Sequence, residues 1–261
     1  MNVNTLASII SQSRLQSYVT SQGTKPENAV ALYEQNIALA QSFYPLLSSL
    51  EVALRNALDE QCTTLFSDPD WLINQKTGFM SDRKLTHPGA GGRMVTNTFL
   101  KRSVEDAEVK LRKQNKPITQ GRIISELTFG FWTELFDRTH YSLLKGVPIR
   151  AFTNLPPTVK RTQIYTTLND IRRFRNRIYH NEPICFLNAV CSTGPAFRIR
   201  NEIGEMLQWL SFDLPSWVAE IDESEFELIL TERYSPIHKP LTTEWRVLIA
   251  KLKSAVRILS R

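Results

Sequence analysis

The feature that most constrains this chain is the spacing of its apolar residues, which recur at three and four positions almost wherever they cluster. Leu47, Leu50, Ala53, Leu54 and Ala57 follow that spacing, and residues so spaced share one face of an α-helix. No stretch alternates apolar and polar residues strongly enough to indicate a strand. The expected class is therefore all-α: about eight helices around a bundle of long ones.

Helices are expected over residues 5–18, 27–42, 45–66, 97–114, 119–137, 157–181, 195–210 and 241–261. Gly23 to Pro26 separates the first two, Ser67-Asp68-Pro69-Asp70 stops the third, and Pro117 and Pro183 end others. Residues 70–95 read as irregular. They contain His87-Pro88-Gly89-Ala90-Gly91-Gly92-Arg93, a mobile surface loop in this reading, since no strand precedes it and the phosphate-loop pattern is absent. Gly130 falls inside the expected 119–137 helix, where close packing against a neighbour offsets its helix penalty. Phe129, Phe131 and Trp132 are expected core. The last helix carries Trp245, Leu248, Ile249, Leu252, Val256 and Leu259 on one face. Three segments follow: an N-terminal helix and linker (1–26), a helical core (27–185) and a C-terminal helical extension packed on it (186–261).

Composition narrows the partners. With 42% hydrophobic and 22% charged residues the chain is ordinary globular protein rather than disordered. The richest apolar run, Phe43 to Leu58, is broken by Pro45, Glu51 and Arg55, so no membrane span and a cytoplasmic location are expected. Cys62, Cys185 and Cys191 form neither a disulfide framework nor a zinc pattern, and no metal or cofactor is expected. His87, His140 and His238 are expected to be surface or satisfied histidines. The net charge of +6 favours a polyanionic partner.

That charge concentrates in Asp170-Ile171-Arg172-Arg173-Phe174-Arg175-Asn176-Arg177-Ile178-Tyr179-His180-Asn181-Glu182-Pro183, where only Asp170 is set against the arginines of the expected helix. At about 100° per residue, Ile164, Thr167, Ile171, Phe174 and Ile178 form a core stripe. Arg172, Asn176 and His180 form a second face, extended by Arg173 and Arg177. Arg175 sits at the edge of the apolar stripe, so its guanidinium must snorkel outward or meet a buried acceptor. Such a face suits RNA cleavage. The 2′-hydroxyl supplies the nucleophile, a histidine shuttles the proton, and arginine forks hold the phosphoryl oxygens. The same arginines could equally serve a non-catalytic RNA-binding module, and the surface a helical interaction protein. Ideal geometry also separates Arg175 and His180 by about 140° around the axis, so one undistorted helix does not aim both at one phosphate.

The stretch Arg175 to His180, an arginine and a histidine with Asn176 and three more residues between them, resembles the HEPN ribonuclease motif. Three longer blocks resemble those of Abi-like (abortive infection) proteins: Asn36 to Asn56, Glu126 to Phe136 (ELTFGFWTELF), and Arg172 to Pro183 (RRFRNRIYHNEP). The resemblance implies a HEPN-type helical bundle with additional helices, and a homodimer in which two motif helices form one composite cleft. It also implies metal-independent endoribonuclease activity leaving a cyclic 2′,3′-phosphate, a growth-arresting role in phage defence, and a small regulatory RNA as a partner beside substrate RNA. Carried over by residue, Arg175 would contact the scissile phosphate, Asn176 would support the site and His180 would transfer protons, with Arg172, Arg173 and Arg177 gripping RNA. Toxins of this kind silenced by nucleotidyltransferases carry a tyrosine two residues beyond the histidine. Glu182 stands there, so silencing by tyrosine modification is not expected. Arg55 and Asn56 are expected to serve structure, through an Arg–Glu pairing or a helix contact.

Overall fold

The computed structural model describes residues 2–21, 25–187, 190–222 and 226. The expected 241–261 helix, His238 and Gly23 lie outside them. Among the described residues the chain forms twelve α-helices and two small antiparallel hairpins, an all-α fold. It divides into two compact units. The first comprises residues 1–44, 177–198 and 223–261, and the second residues 45–176 and 199–222.

In the first unit, α1 (Val3–Ile10) and α2 (Gln12–Val19) replace the single helix expected over 5–18. Ser11 adopts a φ of 83°, which breaks the helix, and its side chain then accepts from Arg14 N to start α2. A 3₁₀ turn (Pro26–Asn28) leads into α3 (Ala29–Gln41). Leu15, Tyr18, Leu32, Leu39 and Phe43 are fully buried. The Tyr18 ring meets the edge of Tyr33 and the ring of Phe186, each at 5.4 Å. Asn36, buried in α3, accepts the backbone N–H of Ile184 at 2.8 Å. That bond satisfies a donor which would otherwise be buried unpaired. A short hairpin, β3 (Phe186–Leu187) with β4 (Val190–Cys191), follows Pro183.

In the second unit, α4 (Tyr44–Phe66) contributes residues 45–66. Leu46, Leu47, Leu50, Leu54, Leu58 and Cys62 are buried at the expected helical spacing. By length and composition alone Ala29–Phe66 passes as a membrane-crossing stretch, more apolar than the run from Phe43 suggested. Its leucines, however, are spent on the protein's own core. Ser67, with a φ of 50°, closes α4, and Asp68 N reaches back to the Thr63 carbonyl at 3.2 Å. After α5 (Trp71–Asn74), the Phe66, Trp71 and Phe79 rings stack, and Asp59 Oδ1 accepts from both Trp71 Nε1 and Gln120 Nε2.

Residues 86–96 depart from the expected irregular loop. β1 (Thr86–Pro88) pairs with β2 (Met94–Thr96), and Gly91 and Gly92 make the turn at φ of 75° and 77°, where a side chain would strain the backbone. The amphipathic α6 (Phe99–Lys113) follows.

The helix expected over 119–137 is interrupted. α7 (Gln120–Glu126) stops at Leu127, which is extended (φ −71°, ψ 139°), as is Thr128, and α8 (Phe129–Glu134) restarts. Thr128 and Gly130 are both weak helix formers, and the break lets Phe129, Phe131, Trp132, Leu135 and Phe136 all point inward, each buried. Gly130 lies near the start of α8, and the Arg172 side chain passes over it. The unexpected α9 (Arg138–Leu143) is capped by Asp137, whose carboxylate accepts from Thr139 N at 2.8 Å.

α10 (Arg161–Tyr179) contributes residues 161–176 to this unit, α11 (Gly194–Leu210) residues 199–210, and α12 (Leu214–Ile221) completes it. The histidine expectation needs correction at one position. His87 is exposed, but His140 is fully buried and neither ring nitrogen makes a hydrogen bond. Cys62 and Cys185 are buried, and burial pushes the Cys62 thiol up to about 12.

Candidate functional site

α10 is anchored by Ile164, Leu168, Ile171 and Phe174, all buried. Leu168 takes the place expected for Thr167, which is half-buried, as is Ile178. The polar residues fan out around this stripe, and their partners divide them.

In the second unit, α10 brings Arg172, Arg173, Arg175 and Asn176 together. Arg172 donates to Asn169 Oδ1 at 2.9 Å, while its aliphatic stem crosses the space Gly130 leaves open, 3.5 Å from where a Cβ would stand. Arg173 donates to Asp170 one turn earlier at 2.7 Å and is otherwise solvated. Such an exposed i, i+3 pair contributes little to stability and leaves the cation accessible. Asn176 is exposed.

Arg175 is only 22% exposed, and its Nη2 lies 3.1 Å from Glu51 Oε2 of α4, itself 19% exposed. The acceptor that the edge position required is thus a carboxylate from the Asn36–Asn56 block. The sequence placed only Asp170 opposite the arginines; Glu51 is the residue that reading missed. Its signal was an acidic side chain in an otherwise apolar helix stretch. Arg55, on the same helix, has its Nε buried without a hydrogen-bond partner among the described residues.

In the first unit, α10 ends in a tightly built cap. Asn181 takes a left-handed φ of 53°, Glu182 N returns to the Arg177 carbonyl at 2.8 Å, and Asn181 N to Ile178 O at 3.0 Å. Arg177 donates to the Pro183 carbonyl and lies 3.7 Å from Glu182 through Nε. Arg14 of α2 donates through Nη1 to the carbonyls of His180 (3.3 Å) and Asn181 (2.9 Å). The backbone beneath His180 is therefore fixed from both sides while its side chain is exposed.

Of the arginines expected to grip RNA, Arg172 and Arg177 are engaged in helix packing and capping, and Arg173 is the freest. The exposed polar residues of the motif are Asn176 and His180. The glycine-rich turn exposes Ala90, Gly91 and Gly92 and is closed by Gly89 N donating to Arg93 O at 2.8 Å.

No curated protein and no solved structure matches the chain. The sequence model of the family described as Abi-like protein matches residues 4–185, which takes in α1 to α10 and the cap that follows. Membership supports a role in abortive infection. The chain belongs to the Abi-like protein family.

Proposed function

We propose that this protein is a metal-independent endoribonuclease of the HEPN type, acting on RNA in the cytoplasm as an abortive-infection toxin. The observation that carries this reading is the Arg175-Asn176-x-x-x-His180 stretch at the end of α10 of an Abi-like chain, with Asn176 and His180 exposed and the backbone of His180 pinned by Arg14.

In the proposed reaction the 2′-oxygen bonds to phosphorus and the bond from phosphorus to the 5′-oxygen breaks, leaving a cyclic 2′,3′-phosphate and a 5′-hydroxyl. Arg175 neutralises charge on the phosphoryl oxygens. Asn176 holds an oxygen or orients the imidazole. His180 transfers the proton. The one motif histidine of each chain covers one proton transfer, so a homodimer that joins two motif helices would supply both the base and the acid. Arg173, the most accessible of the three arginines expected to grip RNA, would steer the polyanion, with Arg172 and Arg177 shaping the surface beneath it. A small regulatory RNA on the same cationic surface would hold the toxin silent.

The test compares RNA cleavage by the wild type and by His180→Ala. Loss of cleavage with retained fold supports the reading; full cleavage and toxicity in the variant overturn it. RNA binding without any cleavage by the wild type would leave a pure RNA-binding module instead.

A further inference from the structure

Outside the motif, three side chains of the second unit converge at the junction of α8 and α9. Glu134 closes α8, Asp137 caps α9 and His140 lies one turn into α9. The turn between them is held by Asp137 N donating to Glu134 O at 3.0 Å and Tyr141 N to Asp137 O at 2.8 Å. His140 Nδ1 lies 3.5 Å from Glu134 Oε1 and 3.7 Å from Asp137 Oδ2, and the three candidate donor atoms all fall within 4.8 Å of one another.

We infer that Glu134, Asp137 and His140 form a zinc(II) site, with solvent completing the coordination shell.

Two explanations of the cluster make different geometric demands. An imidazolium salt-bridged to the carboxylates would draw in a charge-assisted hydrogen bond of about 2.7–2.9 Å. The observed separations are longer, and neither His140 nitrogen makes a hydrogen bond although the ring is wholly buried. Nε2 lacks an acceptor under either explanation and does not discriminate. Donors about 2.0–2.2 Å from a tetrahedral zinc ion stand roughly 3.3–3.6 Å apart. The Nδ1–Glu134 edge meets that range, and the Nδ1–Asp137 edge meets it after a shift of about 0.1 Å.

The donor set also selects the ion. Imidazole nitrogen suits zinc and its neighbours, whereas calcium and magnesium take oxygen shells. Access is available, because Glu134 and Asp137 are 22% and 29% exposed while His140 closes the inner side. The second shell is in place. Asn97 Nδ2 donates to Glu134 Oε1 at 2.9 Å, and Thr139 N donates to Asp137 Oδ2; such bonds fix ligand direction. The nearby Arg161 cation is turned to the Tyr141 and Tyr165 rings and to the Phe136 carbonyl. The site ties two short helices together and takes no part in the proposed cleavage.

The test uses the full chain stripped with chelator and titrated with cobalt(II), followed by its visible ligand-field bands, and with zinc, followed by thermal unfolding. The wild type is expected to bind one ion per chain. At about a hundred times Kd, its midpoint should rise by roughly 5–10 °C. Glu134→Gln and Asp137→Asn keep side-chain volume at partly exposed positions. With unchanged helical content by circular dichroism, each should weaken binding about tenfold or more. No stoichiometric binding by the wild type, or wild-type affinity in both variants, overturns the assignment. Neither readout uses RNA cleavage, so failure here and failure of the ribonuclease reading are separable.

Discussion

Arg175 Nη2 and Glu51 Oε2 stand 3.1 Å apart, so the arginine of the motif is held by a carboxylate from a helix far away in sequence. Both are mostly withdrawn from water, where a charge pair is screened less than at the surface. Glu51 thereby fixes the direction of the guanidinium fork. Glu51→Gln should lower RNA cleavage by about tenfold or more with little change in RNA affinity, because misplacing a positioned group reduces rate more than binding. A rise in KM with kcat unchanged would contradict the positioning role. Glu51→Ala should also lower stability, by about 1–2 kcal/mol, through the charge left behind.

Asn36 caps the Ile184 N–H inside the first unit. Asn36→Leu removes the acceptor and leaves the donor buried, a cost of about 1–3 kcal/mol. Chemical denaturation should register that loss as a lower midpoint at unchanged slope. An unaltered midpoint would mean that the bond contributes nothing.

Gly130 needs no special backbone conformation, and a Cβ there would sit 3.5 Å from Arg172 Cδ and Thr128 Oγ1, ordinary contact distances. Gly130→Ala should therefore stabilise the protein by about 0.5–1 kcal/mol through helix propensity alone. Gly130→Leu should displace Arg172 and reverse the gain. Thermal unfolding of the pair of variants decides this, and destabilisation by alanine would show that the space is tighter than these contacts.

The Cys62 thiol is raised to about 12 by burial and, secondarily, by Asp59. The unfolded thiol ionises near 8.5 and the folded one far higher. The folded state then binds more protons across that interval, and stability falls as pH rises from about 8.5. Cys62→Ala should flatten the fall in unfolding midpoint between about pH 8.5 and pH 10 relative to the wild type. The same slope in both proteins would exclude Cys62 as its source.

Long helices were legible because periodicity is local. The apolar repeats of α4 and α10 set each helix to within a few residues of its ends. Breaks were not legible where tertiary packing decided them. Phe129, Phe131, Trp132, Leu135 and Phe136 span an arc of about 160° on a helix, and the extended Leu127–Thr128 step turns that whole arc relative to α7. That same misreading hid the Glu134/Asp137/His140 cluster, because its members meet only where α8 gives way to α9. Ser11 likewise split α1 from α2 with no glycine or proline to announce it. In the motif the exposed Asn176 and His180 were readable from helical angle, whereas the partner of Arg175 came from a distant segment that no local pattern encodes.

The most direct test of the central claim is RNA cleavage in EDTA by the wild type and His180→Ala, with helical content verified in the same buffer and product ends analysed. The account predicts cleavage by the wild type alone, leaving cyclic 2′,3′-phosphate and 5′-hydroxyl ends. Equal cleavage by both proteins, or a folded wild type that binds RNA and never cuts it, would contradict it.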